Sequence, residues 1–252
     1  MVKVVVIVPT YQEKENINAL VSSLHDQFKS TSYDNYILVV DDSSPDGTAD
    51  VVSNLMKKWS NVHLLVGPKR GLGEAYIRGM KYALDKLGAD LIVEMDADFS
   101  NKPEDVPRLI GEIEKGADFV IGSRYVRGGK IPENWNLFLA AKSRWGNRFA
   151  RYIAGIDNVK DCTAGFRAIK AKVLREIDLD SLKVRGYSFQ MNLLYKAYMN
   201  GAKIREIPVE FIDRKYGHTK LGPSDVFEFI FNAFKLRVQR GLIMQKPKKR
   251  LA

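Results

Sequence analysis

Two aspartates, Asp96 and Asp98, are separated by a single residue, so their carboxylates could act together on a ligand or a cation. They follow the apolar run LIVEM (residues 91–95), which has the composition of a buried strand. Like charges at a strand end are unfavourable unless a ligand or cation compensates them. Because no histidine or cysteine is near in sequence, the pair favours Mg²⁺ or Mn²⁺ over Zn²⁺, and such ions bridge substrate phosphates. We therefore predict a metal and diphosphate site; the alternative is a helix-capping pair at a strand end.

Two other polar segments also follow apolar runs. In VVDDSSPDGT (residues 39–48), Asp41 and Asp42 follow an apolar run. Their carboxylates could accept hydrogen bonds from a nucleotide base or a ribose. Residues 45–48 of that segment read equally well as a turn and a helix N-cap. In GPKRGLG (residues 67–73), two cations lie beside glycines that open a helix, which is typical of a phosphate-binding loop. That loop matches neither a Walker motif nor a dinucleotide-binding motif, and a solvated surface is its alternative interpretation.

A sheet is needed to bring these residues together, and the first half of the chain has the alternating strand and helix pattern that predicts one. Predicted strands are residues 3–8, 36–40, 62–66, 91–95 and 118–122. Predicted helices between them are residues 13–28, 48–59, 73–87 and 103–115. This alternation predicts an α/β fold with a Rossmann-like, mostly parallel sheet flanked by helices on both faces. Ligands bind at the carboxyl ends of such strands, so the polar segments should meet at one edge.

The second half of the chain has a looser pattern. Residues 137–155 read as a basic helix that ends at Gly155, and residues 162–177 as a short strand followed by a helix. A further helix should end at Gly201, followed by a strand that Pro208 interrupts.

Length and cysteine content limit the class of protein. The 252 residues can bury one sizeable core, and the one cysteine, Cys162, excludes an intramolecular disulfide. No apolar stretch approaches the ~18 residues needed to span a bilayer, and the N-terminal run is too short for a signal peptide. We therefore expect a soluble or peripheral protein in a reducing compartment.

The charge of the chain is asymmetric. Residues 1–120 contain 13 Lys/Arg and 19 Asp/Glu, whereas residues 121–252 contain 27 and 11. A basic second half indicates an anionic partner, namely a phosphorylated substrate, a membrane surface or nucleic acid. A solvated basic face is the alternative. The acidic edge and the absence of a nucleic-acid-binding motif argue against nucleic acid.

The last thirty residues predict an amphipathic helix followed by a basic tail. Its apolar side chains at helical spacing are Phe227, Ile230, Phe231, Phe234 and Val238, and no acid follows Glu228. The helix either packs its phenylalanines on the rest of the protein or lies at a bilayer surface, where the cations meet anionic lipid.

Eight segments occur in an order that resembles one known family. They are VPTYQEKENI, VVDDSSPDGTAD, RGLGEAYIRGMKYA, MDADFSNKPED, GSRYVRGG, AGFRAIKAKVL, GYSFQMNLL and EFIDRKYGHTKLG. The sequence resembles the dolichol-phosphate mannose synthases, which are inverting family 2 glycosyltransferases with a GT-A fold, from about residue 3 to 225. The resemblance implies a GT-A catalytic domain at residues 1–222, with residues 223–252 contacting a membrane or a partner.

This resemblance implies an activity, a cofactor and a location. The expected reaction transfers mannose from GDP-mannose to dolichyl or another polyprenyl phosphate, with inversion and with Mg²⁺ or Mn²⁺ as cofactor. Two alternatives are a glucosyltransferase that uses UDP-glucose, and a non-catalytic membrane scaffold that binds nucleotide sugars. The expected location is peripheral, on the cytoplasmic side of the endoplasmic reticulum in a eukaryote or of the plasma membrane in a prokaryote. Some relatives depend on small membrane subunits, so such a partner is also expected.

The resemblance also implies site residues. The donor nucleotide is expected at Pro9, Tyr11, Glu13, Val40, Asp42, Asp96, Ala97 and Asp98, with the metal at Asp96 and Asp98. The expected catalytic residues are Asp98, Arg124, Arg214 and Lys220. The acceptor phosphate is expected at Ser143, Arg124 and Lys142. Relatives have a basic residue four positions before this serine, whereas this chain has Leu139. Either Lys142 or Arg144 supplies that positive charge, or the acceptor phosphate is held differently.

Overall fold

The described structure is a computed structural model that covers residues 1–29, 31–132, 135, 137–156, 158–182, 186–213 and 231–238. Its strands are β1 (Lys3–Thr10), β2 (Asp34–Asp41), β3 (Val62–Val66), β4 (Leu91–Glu94), β5 (Phe119–Ser123), β6 (Arg167–Lys170) and β7 (Ile204–Pro208). Its α-helices are α1 (Lys14–Phe28), α2 (Thr48–Lys58), α3 (Leu72–Asp85), α4 (Val106–Glu114), α5 (Leu137–Ala154), α6 (Ala171–Arg175) and α7 (Gly186–Met199). Two 3₁₀ turns lie at Pro103–Asp105 and Leu179–Leu182.

The strands form one sheet in the order β3-β2-β1-β4-β6-β5-β7. The pairs β1–β2, β1–β4, β2–β3 and β5–β7 are parallel, whereas β6 is antiparallel to both β4 and β5. Strands β4 and β5 therefore run in the same direction on either side of β6. The carboxyl ends of all the strands except β6 consequently lie at one edge, and the predicted mostly parallel α/β fold is confirmed.

Both faces of the sheet are buried, which explains why its strands are continuously apolar rather than alternating. On β1, Val5 and Ile7 belong to a core with α3 and α7, whereas Val4, Val6 and Val8 belong to a core with α1, α2 and α4. All five side chains are fully buried. The two cores therefore cover opposite faces of the sheet and position the loops at its carboxyl edge.

The helix ends follow the glycine signals in the sequence. Gly155 after α5 and Gly201 after α7 have φ angles of 70° and 81°, a conformation that glycine adopts without a side-chain penalty. Strand β7 ends at Pro208, as the missing amide proton of proline favours. The predicted helix at residues 103–115 is instead a 3₁₀ turn followed by α4, because Pro107 lies at the start of the α-helix.

Residues 231–238 are helical and pack against α7. Asn192 Nδ2 donates to Asn232 Oδ1 at 3.1 Å, and the Tyr195 hydroxyl donates to the carbonyl of Leu236 at 3.1 Å. Ala233 and Leu236 are buried. Phe227 and Ile230 lie outside the described residues. Within the described part of the chain, no helix has the length and apolarity to cross a membrane.

Candidate active site

Backbone strain marks the loops at the carboxyl edge of the sheet. Gln12, Ser43 and Phe99 follow β1, β2 and β4, and their φ angles are 60°, 53° and 59°. They are the non-glycine residues with positive φ in the described ranges. Such conformations are unfavourable for L-residues and cluster at ligand sites, where the surrounding structure enforces them. The three strained loops point to this edge as the binding site.

The carboxylates of Asp41 and Asp42 have different partners, although the two residues are adjacent. Asp41 is fully buried and accepts hydrogen bonds from the hydroxyls of Thr10 and Ser44, so it joins the end of β1 to the loop after β2. Asp42 pairs with Arg78 of α3, whose Nη2 lies 2.8 Å from Asp42 Oδ1. Burial raises the pKa of Asp42 above its ordinary value, and the Arg78 guanidinium opposes that shift. Asp41 therefore has a structural role at this edge of the sheet, whereas the Asp42 carboxylate, paired with Arg78, is the one placed for a ligand.

The other residues expected at the nucleotide lie at the carboxyl ends of β1 and β2 or in the loop after β1. Pro9 and Val40 are register partners on β1 and β2. The Lys69 ammonium lies 3.4 Å from the centroid of the Tyr11 ring, which brings the loop after β3 against the loop after β1. Glu13 accepts a hydrogen bond from Asn16 Nδ2 at 2.9 Å. The structure therefore brings these residues together, and their contact with a nucleotide stays a prediction.

Asp96 and Asp98 lie directly beyond β4 at this edge. Asp96 Oδ1 accepts a hydrogen bond from the Tyr76 hydroxyl at 3.2 Å, and Asp98 Oδ1 accepts one from the Ser100 amide at 3.0 Å. Burial, followed by the charges of Asp96 and Glu94, raises the pKa of Tyr76 well above its ordinary value, so the phenol stays protonated and donates. The buried residue between the aspartates, Ala97, adds no polar group.

This donor set fits a hard divalent cation held jointly with a substrate. Two carboxylates at an open edge suit Mg²⁺ or Mn²⁺, which typically take one or two carboxylates and complete their coordination with substrate phosphates and water. Clusters of three or more His, Cys, Asp or Glu side chains with metal-binding geometry are absent from the described residues. An ion at Asp96 and Asp98 would therefore need oxygen ligands from a bound molecule.

A buried polar layer lies beneath the two aspartates. Glu94 and Arg167 are both fully buried, with 3.9 Å between Arg167 Nε and Glu94 Oε2, and burial raises the pKa of Glu94 to about 8. Arg167 also donates to the carbonyls of Gln190 and Cys162, which ties β6 to α7. Gly165 lies beside the Asp96 carboxylate, since a Cβ built there would be in ordinary van der Waals contact with Asp96 Oδ2 at 3.5 Å.

Arg124, directly after β5, has a buried carboxylate partner. Its Nε and Nη2 each donate to Asp161 at 2.8 Å, and its backbone amide donates to the same carboxylate at 3.1 Å. Burial alone would raise the pKa of Asp161, but the Arg124 charge and hydrogen bonds outweigh it and hold that pKa below its ordinary value. Much of the Arg124 charge is therefore already compensated within the protein.

The serine expected at the acceptor phosphate lies on α5, beside the loop that contains Arg124. The hydroxyls of Ser143 and Tyr125 are 2.6 Å apart. Next to them is a cavity of about 290 Å³, whose basic lining residues are Arg124, Arg144, Arg148, Arg151 and Lys160. The Lys142 side chain, Arg214 and Lys220 lie outside the described residues, so their roles stay predictions.

Sequence reasoning missed several residues that organise this site. Tyr76, Arg78 and Asp161 contact expected site residues but lie 20, 36 and 37 positions away from them in the chain. Tyr76 has helical spacing with the core residues of α3, so its pattern indicates packing rather than a hydrogen bond to Asp96. Gln190 belongs to the motif GYSFQM, but only the fold shows that its side chain and the Asp96 carboxylate both lie next to Gly165.

Comparison with known proteins shows a family match and similar relatives. The model of glycosyl transferase family 2 matches residues 5–178. The chain is 38% identical over 231 residues to a polyprenol monophosphomannose synthase of Mycolicibacterium smegmatis, covering 91% of this chain and 84% of that one. It is 40% identical to an undecaprenyl-phosphate mannosyltransferase of Micrococcus luteus, covering 91% and 92%. A dolichol-phosphate mannosyltransferase of Pyrococcus furiosus is 35% identical, covering 96% of this chain and 65% of that protein.

Solved structures with the same fold include glucosyl-3-phosphoglycerate synthase from Mycobacterium tuberculosis. Its complex with UDP has a TM-score of 0.67 at 17% identity, covering 94% of this chain and 80% of that one. Its complex with Mn²⁺, UDP-glucose and glycerol 3-phosphate has a TM-score of 0.65 at 18% identity, covering 94% and 79%. At this identity, the likeness establishes the fold.

Proposed function

Because the chain belongs to glycosyl transferase family 2, we propose that it transfers a mannosyl group from a nucleotide sugar to a polyprenyl phosphate. The observation that carries this proposal is the 38–40% identity, over 91% of the chain, to two enzymes named for mannosyl transfer with polyprenyl substrates. The edge of the sheet supports it, because the Asp42 carboxylate and the pair Asp96 and Asp98, which suits a divalent metal, lie together there. The specific donor in this proposal is GDP-mannose, and the acceptor is dolichyl or a shorter polyprenyl phosphate.

The donor lies across the ends of β1, β2 and β4 in this proposal. The base and ribose contact the loops that contain Tyr11 and Asp42, and the diphosphate lies at Asp96 and Asp98. Asp96 and Asp98 would hold Mg²⁺ or Mn²⁺, which would supply Lewis-acid stabilisation of the charge on the leaving diphosphate. The hydrogen bond from Tyr76 to Asp96 fixes one carboxylate in advance, which reduces the reorganisation needed on binding.

The reaction is a single displacement at the anomeric carbon of mannose. A phosphate oxygen of the acceptor forms the new bond to this carbon, while the bond from the carbon to the diphosphate oxygen breaks and its electrons leave with GDP. The acceptor phosphate is already largely ionised at neutral pH, since its second pKa is about 6, so no strong general base is required. The main task of the protein is to hold two anions together and in line.

The acceptor phosphate occupies the basic cavity beside Ser143 in this proposal. Because Asp161 already compensates the buried Arg124, the uncompensated charge comes from arginines on α5. Arg144 and Arg148 line the cavity and have no carboxylate within ion-pair distance in the described part of the chain. They supply the positive charge that relatives have at the position of Leu139. Arg214 and Lys220 remain further candidates for the same charge.

The acceptor is a lipid, so the protein must reach a membrane. The proposed location is therefore peripheral, at the cytoplasmic face of a membrane, and a small membrane subunit is a candidate partner. The segment 231–238 exposes Phe231, Phe234 and Val238 while burying Ala233 and Leu236 on the protein. This amphipathic pattern supports the proposal that the C-terminal helix contacts lipid.

A transfer assay tests the proposal. Purified protein is incubated with Mg²⁺ or Mn²⁺, labelled GDP-mannose and a polyprenyl phosphate in detergent, and label extracted into organic solvent is measured. Metal-dependent mannolipid is the expected result, and parallel reactions with UDP-glucose and without acceptor are the controls. Glucolipid without mannolipid would assign the other donor. Nucleotide binding without either product would indicate a non-catalytic scaffold or an absent subunit.

A further inference from the structure

Gln190 is a polar side chain in an otherwise apolar part of α7. Its neighbours Phe189, Met191, Leu193 and Leu194 are fully buried and belong to the core on one face of the sheet. Gln190 is 2% exposed, yet neither its amide oxygen nor its amide nitrogen has a hydrogen-bond partner of normal geometry among the described residues. A buried amide without such partners is unfavourable and uncommon in folded proteins. Packing of α7 alone therefore does not explain a glutamine at this position.

The amide of Gln190 lies close to the Asp96 carboxylate, with Gly165 beside both. A Cβ built on Gly165 would lie 3.6 Å from Gln190 Nε2 and 3.5 Å from Asp96 Oδ2. Both are ordinary contact distances, so one atom at that point would touch the amide and the carboxylate together. Because glycine has no Cβ, no side chain of residue 165 separates the two groups.

The two oxygens of Asp96 have different neighbours. Oδ1 accepts the hydrogen bond from the Tyr76 hydroxyl of α3 at 3.2 Å, whereas Oδ2 is the oxygen nearer to Gly165. The Tyr76 ring stacks on the ring of Phe189, with centroids 5.8 Å apart and 1° between the planes. Since Phe189 directly precedes Gln190, α3 and α7 are packed together next to this one carboxylate.

A buried ion pair attaches Gln190 to the strand that precedes Asp96. Arg167 on β6 is the register partner of Glu94 on β4, and Arg167 Nη1 donates to the carbonyl of Gln190 at 2.7 Å. The Gln190 side chain also lies within reach of the Glu94 carboxylate, although without the geometry of a hydrogen bond. The backbone of Gln190 is therefore held beside the end of β4, and its amide is left to act on a neighbouring group.

We propose that Gln190 is a positioning residue of the metal site, whose amide nitrogen donates to Asp96 Oδ2 past Gly165 when metal and nucleotide are bound. This inference rests on the proposed function for the presence of that metal. Tyr76 then holds one oxygen of the carboxylate and Gln190 the other, and each oxygen keeps a lone pair for the cation. Hydrogen-bond partners of metal-binding carboxylates orient them, and their loss typically costs about ten- to a hundredfold in metal affinity.

Contact with the sugar of the donor is the other role open to this amide. It fits less well, because Gln190 is almost completely buried whereas Asp96 is partly exposed at the edge of the sheet. A ligand that enters from solvent therefore reaches Asp96 first. The experiments below separate the two roles.

The variant Gln190→Met removes the amide and keeps a long, unbranched side chain. Mn²⁺-dependent GDP binding, measured by calorimetry, should weaken about tenfold, and the Mn²⁺ affinity measured by electron paramagnetic resonance with GDP present should fall in parallel. GDP binding in EDTA should be unchanged, since no metal takes part. The melting temperature should equal or exceed that of the parent, because an apolar side chain suits this buried position.

The variant Gly165→Ala perturbs the same contact from its other side. Gly165 does not have a positive φ angle, and its Cβ would meet no atom closer than 3.5 Å, so the variant should fold like the parent. The added methyl group should separate Gln190 from Asp96 and weaken Mn²⁺-dependent GDP binding as Gln190→Met does. Combining the two substitutions should add little further loss, because both remove one contact.

Asn192→Leu is the matched control, two residues further along α7. Asn192 Nδ2 donates to Asn232 Oδ1 at 3.1 Å, so this substitution leaves a buried partner unpaired. It should lower the melting temperature and leave the effect of Mn²⁺ on GDP affinity unchanged. Gln190→Met should do the reverse, a combination that a purely structural role of Gln190 does not produce.

The outcomes distinguish this proposal from the proposed function. Parental Mn²⁺-dependent GDP affinity in folded Gln190→Met would overturn the positioning role, whatever the transfer assay shows. An equal loss with and without metal would also overturn it, because the amide would then shape the nucleotide pocket. So would a loss with GDP-mannose but not with GDP, which would assign the amide to the donor sugar. If the variants lose metal-dependent binding but the parent makes no mannolipid, the positioning role stands and the proposed function fails.

Discussion

The substitution Asp161→Asn should destabilise the protein strongly. Asp161 is fully buried and accepts three hydrogen bonds from Arg124, two of them at 2.8 Å from the guanidinium. Asparagine keeps the shape but leaves the guanidinium charge buried without its counter-charge. Removing one partner of a buried pair costs about 3–5 kcal/mol of the free energy of unfolding. For a domain of this size, the melting temperature should fall by roughly 6–20 °C.

The pH dependence of this effect has a definite sign. The pKa of Asp161 is lower in the folded protein than in the unfolded chain, so its stabilisation is present above the unfolded pKa of about 3.9. It is lost as the pH falls from there through the folded pKa. The difference in unfolding free energy between the parent and Asp161→Asn should therefore be complete at neutral pH and shrink below about pH 4.

Urea unfolding at neutral pH measures this prediction, and an exposed ion pair provides the control. Asp180 lies 2.6 Å from Lys81, and both side chains are well exposed at 57% and 43%. Asp180→Asn should change the unfolding free energy by less than about 1 kcal/mol. If Asp161→Asn is no more destabilising than Asp180→Asn, the buried pair does not hold the loop after β5, and the account of Arg124 is wrong.

Three further predictions concern the site, its loop and the thiol. Tyr76→Phe should weaken metal-dependent GDP binding about tenfold by calorimetry, since Asp96 loses an orienting hydrogen bond; unchanged affinity would contradict this. Gly129→Ala should destabilise by about 1–3 kcal/mol in urea unfolding, because its Cβ would lie 2.5 Å from the Ser123 carbonyl, whereas Gly111→Ala has open space and should not destabilise. Burial raises the pKa of Cys162 to about 12, so a thiol reagent at pH 8 should label only unfolded protein, and rapid native labelling would refute this.

The sheet and the polar edge at the ends of its strands were predictable because their signals are local. Strands buried on both faces read as continuous apolar runs, and the connections between parallel strands place their polar ends at one edge. The sequence alone therefore predicts Asp96 and Asp98 at the carboxyl edge of the sheet, where the structure places them. The strained backbone at Phe99 was not predictable, because only the folded loop forces a bulky residue into a positive φ angle.

Contacts between residues far apart in the chain could not be predicted from the sequence. The four-residue strand β6 inserts antiparallel between β4 and β5, and nothing in its composition specifies those neighbours. Arg124 was expected as a cation for phosphate, and its partner Asp161 lies 37 residues away in a loop. Because Asp161 compensates the charge of Arg124, the proposal assigns the acceptor phosphate to the arginines of α5, and only the folded structure reveals this contact.

The exposed aromatic side chains of α5 were only partly predictable. The spacing of Trp145, Phe149 and Tyr152 is visible in the sequence, but it fits a buried stripe as well as an exposed one. Only the hydrogen bonds of Asn147 to residues 160 and 162 show which side of α5 faces inward. The expectation that the C-terminal segment contacts a membrane stays a prediction.

The most direct test of the central claim is the rate of mannolipid formation by the Asp98→Ala variant compared with the parent. Both proteins receive Mn²⁺, GDP-mannose and polyprenyl phosphate in detergent, with a chelator control, and their melting temperatures are measured in parallel. If the aspartates at the end of β4 hold the donor diphosphate through a metal, the parent makes mannolipid only with metal, and the variant loses at least about a hundredfold in rate while remaining folded. A folded variant that transfers mannose at the parental rate would contradict the account.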